Sequence, residues 1–191
     1  MKTVTVIIGK TFSGKSTLVQ QMEHKGLGNS VKLHTTRPIR EGEIDGVDYY
    51  FDEVDELLES VTQEKCILTH YNVLEDGGQA DWYYSLFLSE LLTTPKPIVI
   101  LDINKLSTII DWSVDNDFNI EIIYVNTPQD VIEHRIQTSF RSREAFDETR
   151  RRLKDDNRKF KQFEENLLSL GLTDSLLHGI NIYKVYDNKG K

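Results

Sequence analysis

The sequence runs to 191 residues, 38% hydrophobic and 28% charged, which fits one globular domain with a continuous buried core and argues against a disordered or membrane-embedded chain. Its 23 basic residues are outnumbered by 31 acidic ones, giving a net charge of −8, so a broad non-specific nucleic-acid surface is disfavoured and any phosphate recognition must be local. Cys66 is alone, which rules out an intrachain disulfide and suits a reducing compartment; its apolar neighbours Ile67 and Leu68 predict a buried thiol.

The opening stretch MKTVTVIIGK is too short for a signal-peptide core or a membrane span, which predicts a cytoplasmic protein. β-rich runs follow at residues 3–8, 31–33, 97–101 and 120–125, with a weaker one at 182–186. Between them, residues 16–24 carry Leu18, Val19 and Met22 on one helical face, and Gly26 stands where a C-terminal cap belongs. Thr127, Pro128 and Asp130 read as N-cap, first-turn proline and first-turn acid of a helix that buries Val131, Ile132 and Ile136. Phe146, Leu153, Phe160 and Leu167 recur every seven residues, with Phe163 and Leu170 in the same stripe, and predict a long amphipathic helix facing the core. Pro38, Pro95, Pro97 and Pro128 punctuate element boundaries, and no repeat or linker divides the chain. Alternating strands and helices imply an α/β fold, a central parallel sheet flanked by helices, with ligands at the carboxyl ends of the strands.

The first strand runs directly into Gly9-Lys10-Thr11-Phe12-Ser13-Gly14-Lys15-Ser16-Thr17, which fits the phosphate-loop pattern G-x-x-x-x-G-K-[ST] in spacing and in context. Glycines let the backbone wrap so that successive N–H groups converge on phosphate oxygens, and the following helix directs its positive end to the same point. Gly9, Thr11, Phe12, Ser13, Gly14, Lys15, Ser16 and Thr17 are thus the candidate ATP-binding residues. Lys15 is placed to reach the β- and γ-phosphates, and the Ser16 hydroxyl to ligate Mg²⁺. A lysine in the first turn of a helix is repelled by the dipole, at about 0.3–1 kcal/mol, unless an anion receives it.

A second constellation spans residues 35–51, from Thr35-Thr36-Arg37-Pro38-Ile39-Arg40 through Asp48-Tyr49-Tyr50-Phe51. Two arginines three apart beside a proline suit a fixed fork that grips phosphate bidentately. Here the sequence resembles the guanylate kinase family, whose pattern TTR-x-P-R-x-G-E-x-x-G-x-D-Y-x-F it follows without a gap, with proline directly after the first arginine. The resemblance implies that Arg37, Arg40 and Tyr49 hold the acceptor nucleotide's phosphate, with Thr35, Thr69 and Tyr84 completing the acceptor side. Where family members usually carry a serine four residues before the first arginine this chain has Leu33, where they carry an acid in the next strand it has Thr69, and Leu86 replaces a base-reading serine or threonine. For Trp82, Tyr83 and Tyr84 core packing is the competing reading.

Residues 98–102 form an apolar run ending in an acid and resemble the family's I-L-D-I-D, which implies Asp102 near the Mg²⁺, with Asn104 at the second acid; a helix-capping role for Asp102 competes. The family's lid arginines match Arg135, Arg141 and Arg152, which with Lys15 are the candidate catalytic cations. Arg150, Arg151 and Arg152 read equally as a solvated helix face pairing with Glu148 and Asp155. The five histidines show no zinc-ligand spacing.

The resemblance covers about residues 3 to 160 and implies a P-loop NMP-kinase fold in a single domain over 1–191: a core of 1–33 and 97–130 plus the C-terminal part, an acceptor-binding region at about 34–90, and a lid at about 135–152. It implies a phosphotransferase using ATP and Mg²⁺ on GMP or dGMP, with nucleotides as its partners and neither nucleic acid nor membrane. Two alternatives stay open: a kinase for a different or modified (deoxy)nucleoside monophosphate, and a non-catalytic guanylate-kinase-like interaction module.

Overall fold

Thr3 to Ile8 are β-branched without interruption, a run that pleats readily and is expected to be covered on both faces. In the computed structural model, which describes residues 2–75, 78–139, 143–169 and 180–182, this run forms β1 (Lys2–Gly9) at the centre of the molecule. In chain order there follow α1 (Lys15–His24), β2 (Asn29–Ser30), β3 (His34–Thr35), β4 (Tyr50–Phe51), α2 (Val54–Gln63), β5 (Cys66–Glu75), β6 (Gly78–Phe87), α3 (Leu88–Thr93) and β7 (Pro97–Ile100). A 3₁₀ turn (Ile103–Lys105) then leads to α4 (Leu106–Asp115), β8 (Phe118–Val125), α5 (Gln129–Ser139), α6 (Arg143–Ser169) and β9 (Ile180–Ile182).

The central sheet has the order β2-β7-β1-β8-β9, and each neighbouring pair is parallel. On one face Ile7, Ile98 and Val125 pack against Val19, Leu18 and Met22 of α1. On the other, Val4, Val6, Ile8, Val99, Ile120 and Ile122 meet Leu91 of α3, Ile109 of α4 and Phe160 of α6. Each such aliphatic residue contributes about 1.5–3 kcal/mol when fully buried. The seven-residue stripe is partly visible, with Phe146 and Leu153 packed on Ile132 and Ile136 of α5 and Phe160 and Phe163 in the main core. Leu170 lies outside the described residues, as do 183–186 of the weakest predicted strand.

α1 ends as expected. Gly26 adopts φ +66°, its N–H donates to Glu23 O and that of Leu27 to Met22 O, the paired bonds that close a helix at a left-handed glycine.

Two expectations are corrected, and one long element was not foreseen. Residues 31–33 are no strand, because the chain passes there from β2 in the central sheet to β3 in another sheet; Val31 is buried in the core, with Leu33 packed against it. That second sheet, of order β4-β3-β6-β5, contains a long antiparallel hairpin from Cys66↔Phe87 to Glu75↔Gly78, where polar residues on both faces hid the strand period. Cys66 is half-buried at the start of β5, not enclosed. Among the described residues no helix is long and apolar enough to cross a membrane.

Candidate active site

The loop between β1 and α1 turns at the carboxyl end of the central strand. Gly14 stands at φ +98°, and a Cβ at Gly9 would come within 2.7 Å of Ser13 Oγ and 2.8 Å of Val125 O, so side chains are excluded there by the neighbouring strand. The loop is braced from behind. The Thr127 hydroxyl donates to Ser13 O at 2.6 Å and Arg135 Nη1 to Phe12 O at 3.0 Å. Thr127 thus gives its hydroxyl hydrogen to the loop, and the first helical bond of α5 runs from the Ile132 N–H to Pro128 O, one residue beyond the expected cap. The Phe12 side chain packs on Ile132, Ile136 and Leu153, and the Ser13 Oγ is buried without a partner. Both residues therefore shape the loop through packing and backbone.

Lys15 Nζ donates to Gly9 O and Lys10 O, both at 2.7 Å. Burial lowers its pKa from 10.5 to about 8, against the pull of Asp156 and Asp102 and with the push of Arg152. The Thr11 N–H donates to Asp156 Oδ2 at 2.6 Å, and burial raises the Asp156 carboxyl despite that bond and the nearby cations.

A cavity of about 310 Å³ joins this loop to the second sheet, lined among others by Lys15, Ser16, Arg37, Arg40, Tyr49, Thr69, Tyr84, Asp102 and Arg152. Arg37 is 3% exposed; its Nη1 and Nη2 donate to Glu43 at 2.8 and 2.9 Å, and its Nε to the Tyr84 hydroxyl at 3.2 Å. The rings of Tyr49 and Phe51 lie 5.2 and 5.4 Å from its guanidinium carbon. Arg40 faces the same space with its pKa lowered by burial and by Arg37 and Arg152, an environment that favours an anion.

Asp102, at the end of β7, accepts hydrogen bonds from the Asn104 N–H at 2.8 Å and the Tyr71 hydroxyl, and lies 3.6 Å from Lys159 Nζ. It thus caps the 3₁₀ turn and faces the cavity at once. Burial and Asp102 push the Tyr71 hydroxyl far above its usual pKa, so it stays a donor. Arg152 and Lys159 each stand 5.9 Å from the Tyr71 ring. Ser16 and Asp102 supply two hard oxygens to one cavity, which fits a Mg²⁺ held mainly by nucleotide phosphates with one or two protein ligands. Among the described residues there is no cluster of three metal-ligating side chains.

A model of the guanylate kinase family matches residues 1–171. The chain belongs to the guanylate kinase family. Among curated relatives, guanylate kinases of Neisseria gonorrhoeae and of Neisseria meningitidis are each 43% identical over 63 residues, 32% of this chain and 30% of theirs. That of Schizosaccharomyces pombe is 43% identical over 65 residues, 32% of each chain. These matches span about a third of the relatives' length. A crystal structure of guanylate kinase from Anaplasma phagocytophilum aligns at TM-score 0.49 and 22% identity over 86% of this chain and 73% of that one.

In this guanylate kinase family member the sequence-predicted residues divide by position. Gly9, Thr11, Lys15, Ser16, Arg37, Arg40, Tyr49, Thr69, Tyr84, Asp102 and Arg152 line one cavity. Thr35 is fully buried, accepting the Arg37 N–H and donating to Tyr83 O, so it aims Arg37 and does not face the cavity. Thr17 is exposed on α1, Arg135 braces the loop, and Arg141 lies outside the described residues. Sequence reading missed Glu43, Asp156 and Lys159. Arg152, Asp156 and Lys159 are spaced i, i+4, i+7 on α6, so one helical face already carried that signal.

Proposed function

We propose that this protein is a cytoplasmic, ATP-dependent nucleoside monophosphate kinase that moves the γ-phosphoryl group of ATP onto the acceptor's phosphate, releasing ADP and a nucleoside diphosphate. GMP and dGMP are the acceptors that family membership favours. The observation that carries this reading is the single cavity shared by Lys15 and Ser16 on one side and Arg37, Arg40, Tyr49 and Tyr84 on the other. A donor's phosphate chain and an acceptor's phosphate would meet between them.

The loop's N–H groups bind and orient the donor's phosphates, and Lys15, relieved of its carbonyl partners, stays cationic beside the β- and γ-phosphate oxygens. Arg40, Tyr49 and Tyr84 position the acceptor's phosphate; the fork of Arg37 holds in Glu43 a planar pair of oxygens like those phosphate offers. Arg152 adds positive charge where charge is spread over the transferring phosphoryl oxygens. Ser16 and Asp102 would hold a Mg²⁺ together with the nucleotide's phosphates, and the ion would supply positive charge that offsets theirs during transfer. No covalent enzyme intermediate is required. Residues 34–90 serve as the acceptor-binding part and 135–152 as the lid that excludes water.

The test is ADP release from ATP–Mg²⁺ with each common nucleoside monophosphate, for the wild type and Lys15→Ala. Acceptor-dependent ADP release that is lost in Lys15→Ala supports the reading, and near-normal turnover in that variant would sink it.

A further inference from the structure

The end of the cavity beyond the arginines is apolar. β5 and β6 pair Ile67 with Leu86 and Thr69 with Tyr84, and all four line the cavity together with Leu33, Ile103 and Phe160. Ile67 and Leu86 are 3% and 0% exposed, and Leu33, Ile103 and Phe160 belong to the same apolar cluster. Tyr84 is bonded to Arg37. One step along the same two strands therefore leads from the arginine end to an aliphatic wall, with the Thr69 hydroxyl beside it.

The four carboxylates that line this cavity already accept hydrogen bonds from the protein. Glu43 is bonded by Arg37 and by the Arg40 N–H, Asp48 by the Ile44 N–H, Asp102 by Tyr71 and Asn104, and Asp156 by Thr11. The wall itself, formed by Leu33, Ile67 and Leu86 with Thr69 beside them, offers a base methyl groups and one hydroxyl. Guanine would present both N1–H and N2–H₂ there, and a donor buried without an acceptor weakens binding about tenfold to a hundredfold. Thymine presents one N–H, which a hydroxyl oxygen accepts, and its C5 methyl is an apolar group that the other common bases lack.

We propose that this enzyme accepts thymidine monophosphate at least as well as dGMP, with Leu33, Ile67 and Leu86 receiving the C5 methyl and Thr69 accepting from the single N–H. The proposal rests on the kinase reading above and adds the acceptor's base. Positioning of the phosphate by Arg40, Tyr49 and Tyr84 is unchanged, so discrimination comes from the wall alone. A methyl group seated in such a wall is worth about tenfold in kcat/KM.

The experiment measures kcat/KM of the full chain with ATP–Mg²⁺ for dTMP, dUMP and dGMP. The expected result is dTMP equal to or above dGMP, dTMP about tenfold above dUMP, and, in Thr69→Glu, a rise of at least tenfold in the dGMP to dTMP ratio. A ratio taken within one protein does not depend on how much of a variant folds. Preference for dGMP over dTMP, or equal use of dTMP and dUMP, overturns the proposal while leaving the kinase reading intact. Failure to phosphorylate any acceptor removes the kinase reading and the proposal with it.

Discussion

The Asp156 carboxylate on α6 accepts the backbone N–H of Thr11 in the loop after β1 at 2.6 Å, so α6 reaches that loop through an anion. A donor nucleotide's phosphate competes with that carboxylate for the positive potential around Lys15. Asp156→Ala is therefore expected to tighten ATP–Mg²⁺ binding about three- to tenfold by calorimetry. A tenfold loss would mean that Asp156 supports the bound nucleotide instead.

Lys15 carries a cost in the folded protein. Its folded pKa of about 8 lies below its ordinary 10.5, so between those values the unfolded chain binds more protons and stability rises with pH. Below pH 8 the full penalty applies, on the order of 3 kcal/mol. Lys15→Met is expected to unfold at higher temperature than wild type at pH 7, with the gap narrowing by pH 10, while phosphotransfer is abolished. Nucleotide binding should shrink the gap by raising the lysine's pKa.

Arg37 and Glu43 form the two-bond pair beneath the acceptor side. Burial would raise the Glu43 carboxyl, but the bonds from Arg37 and the Arg40 N–H outweigh it and hold the carboxyl below 4.5. The stability this pair supplies is complete above pH 4.5 and is lost as pH falls through the depressed value. Arg37→Met leaves Glu43 without its partner, and is expected to cost about 3 kcal/mol in urea unfolding at pH 7 and to raise the acceptor KM more than tenfold. Arg37→Met in a Glu43→Gln background should recover part of the stability and none of the activity.

His34 of β3 lies 2.7 Å from Asp52 and 3.7 Å from Glu90, stacked on Tyr50 at 4.6 Å. Burial pulls its pKa down, yet the two carboxylates together raise it above 6.5. Its stabilisation is full below pH 6.5 and fades as pH rises through the raised value. Wild type should lose about 1 kcal/mol relative to His34→Gln between pH 6 and pH 9, read by urea unfolding. An unchanged difference between the two proteins would refute the ion-pair account.

The phosphate loop was readable because its chemistry is contiguous: Gly9 to Ser16 lie within one turn of chain, and glycine positions report backbone shape directly. The segment from Arg37 to Tyr49 was legible for the same reason. The 66–87 hairpin was not, since Thr69, His70, Asn72 and Asp81 break the alternation that marks a strand. Thr35 and Thr127 were misplaced because a hydroxyl goes to the nearest unmet backbone group, and which group that is depends on segments far away in sequence.

By itself the sequence determined the central strand, the glycine-rich loop after it, the arginine-rich segment that follows β3 and the long helix, all written in patterns shorter than two dozen residues or in a strict period. Only the tertiary structure decided that Asp156 meets Thr11, that Glu43 holds Arg37, that Tyr71 donates to Asp102, and that Leu33 joins Ile67 and Leu86 in one wall. Hydrogen bonds and burial act over a few ångströms, and chain neighbours tens of residues apart come within that range only once the two sheets and α6 are folded around the cavity.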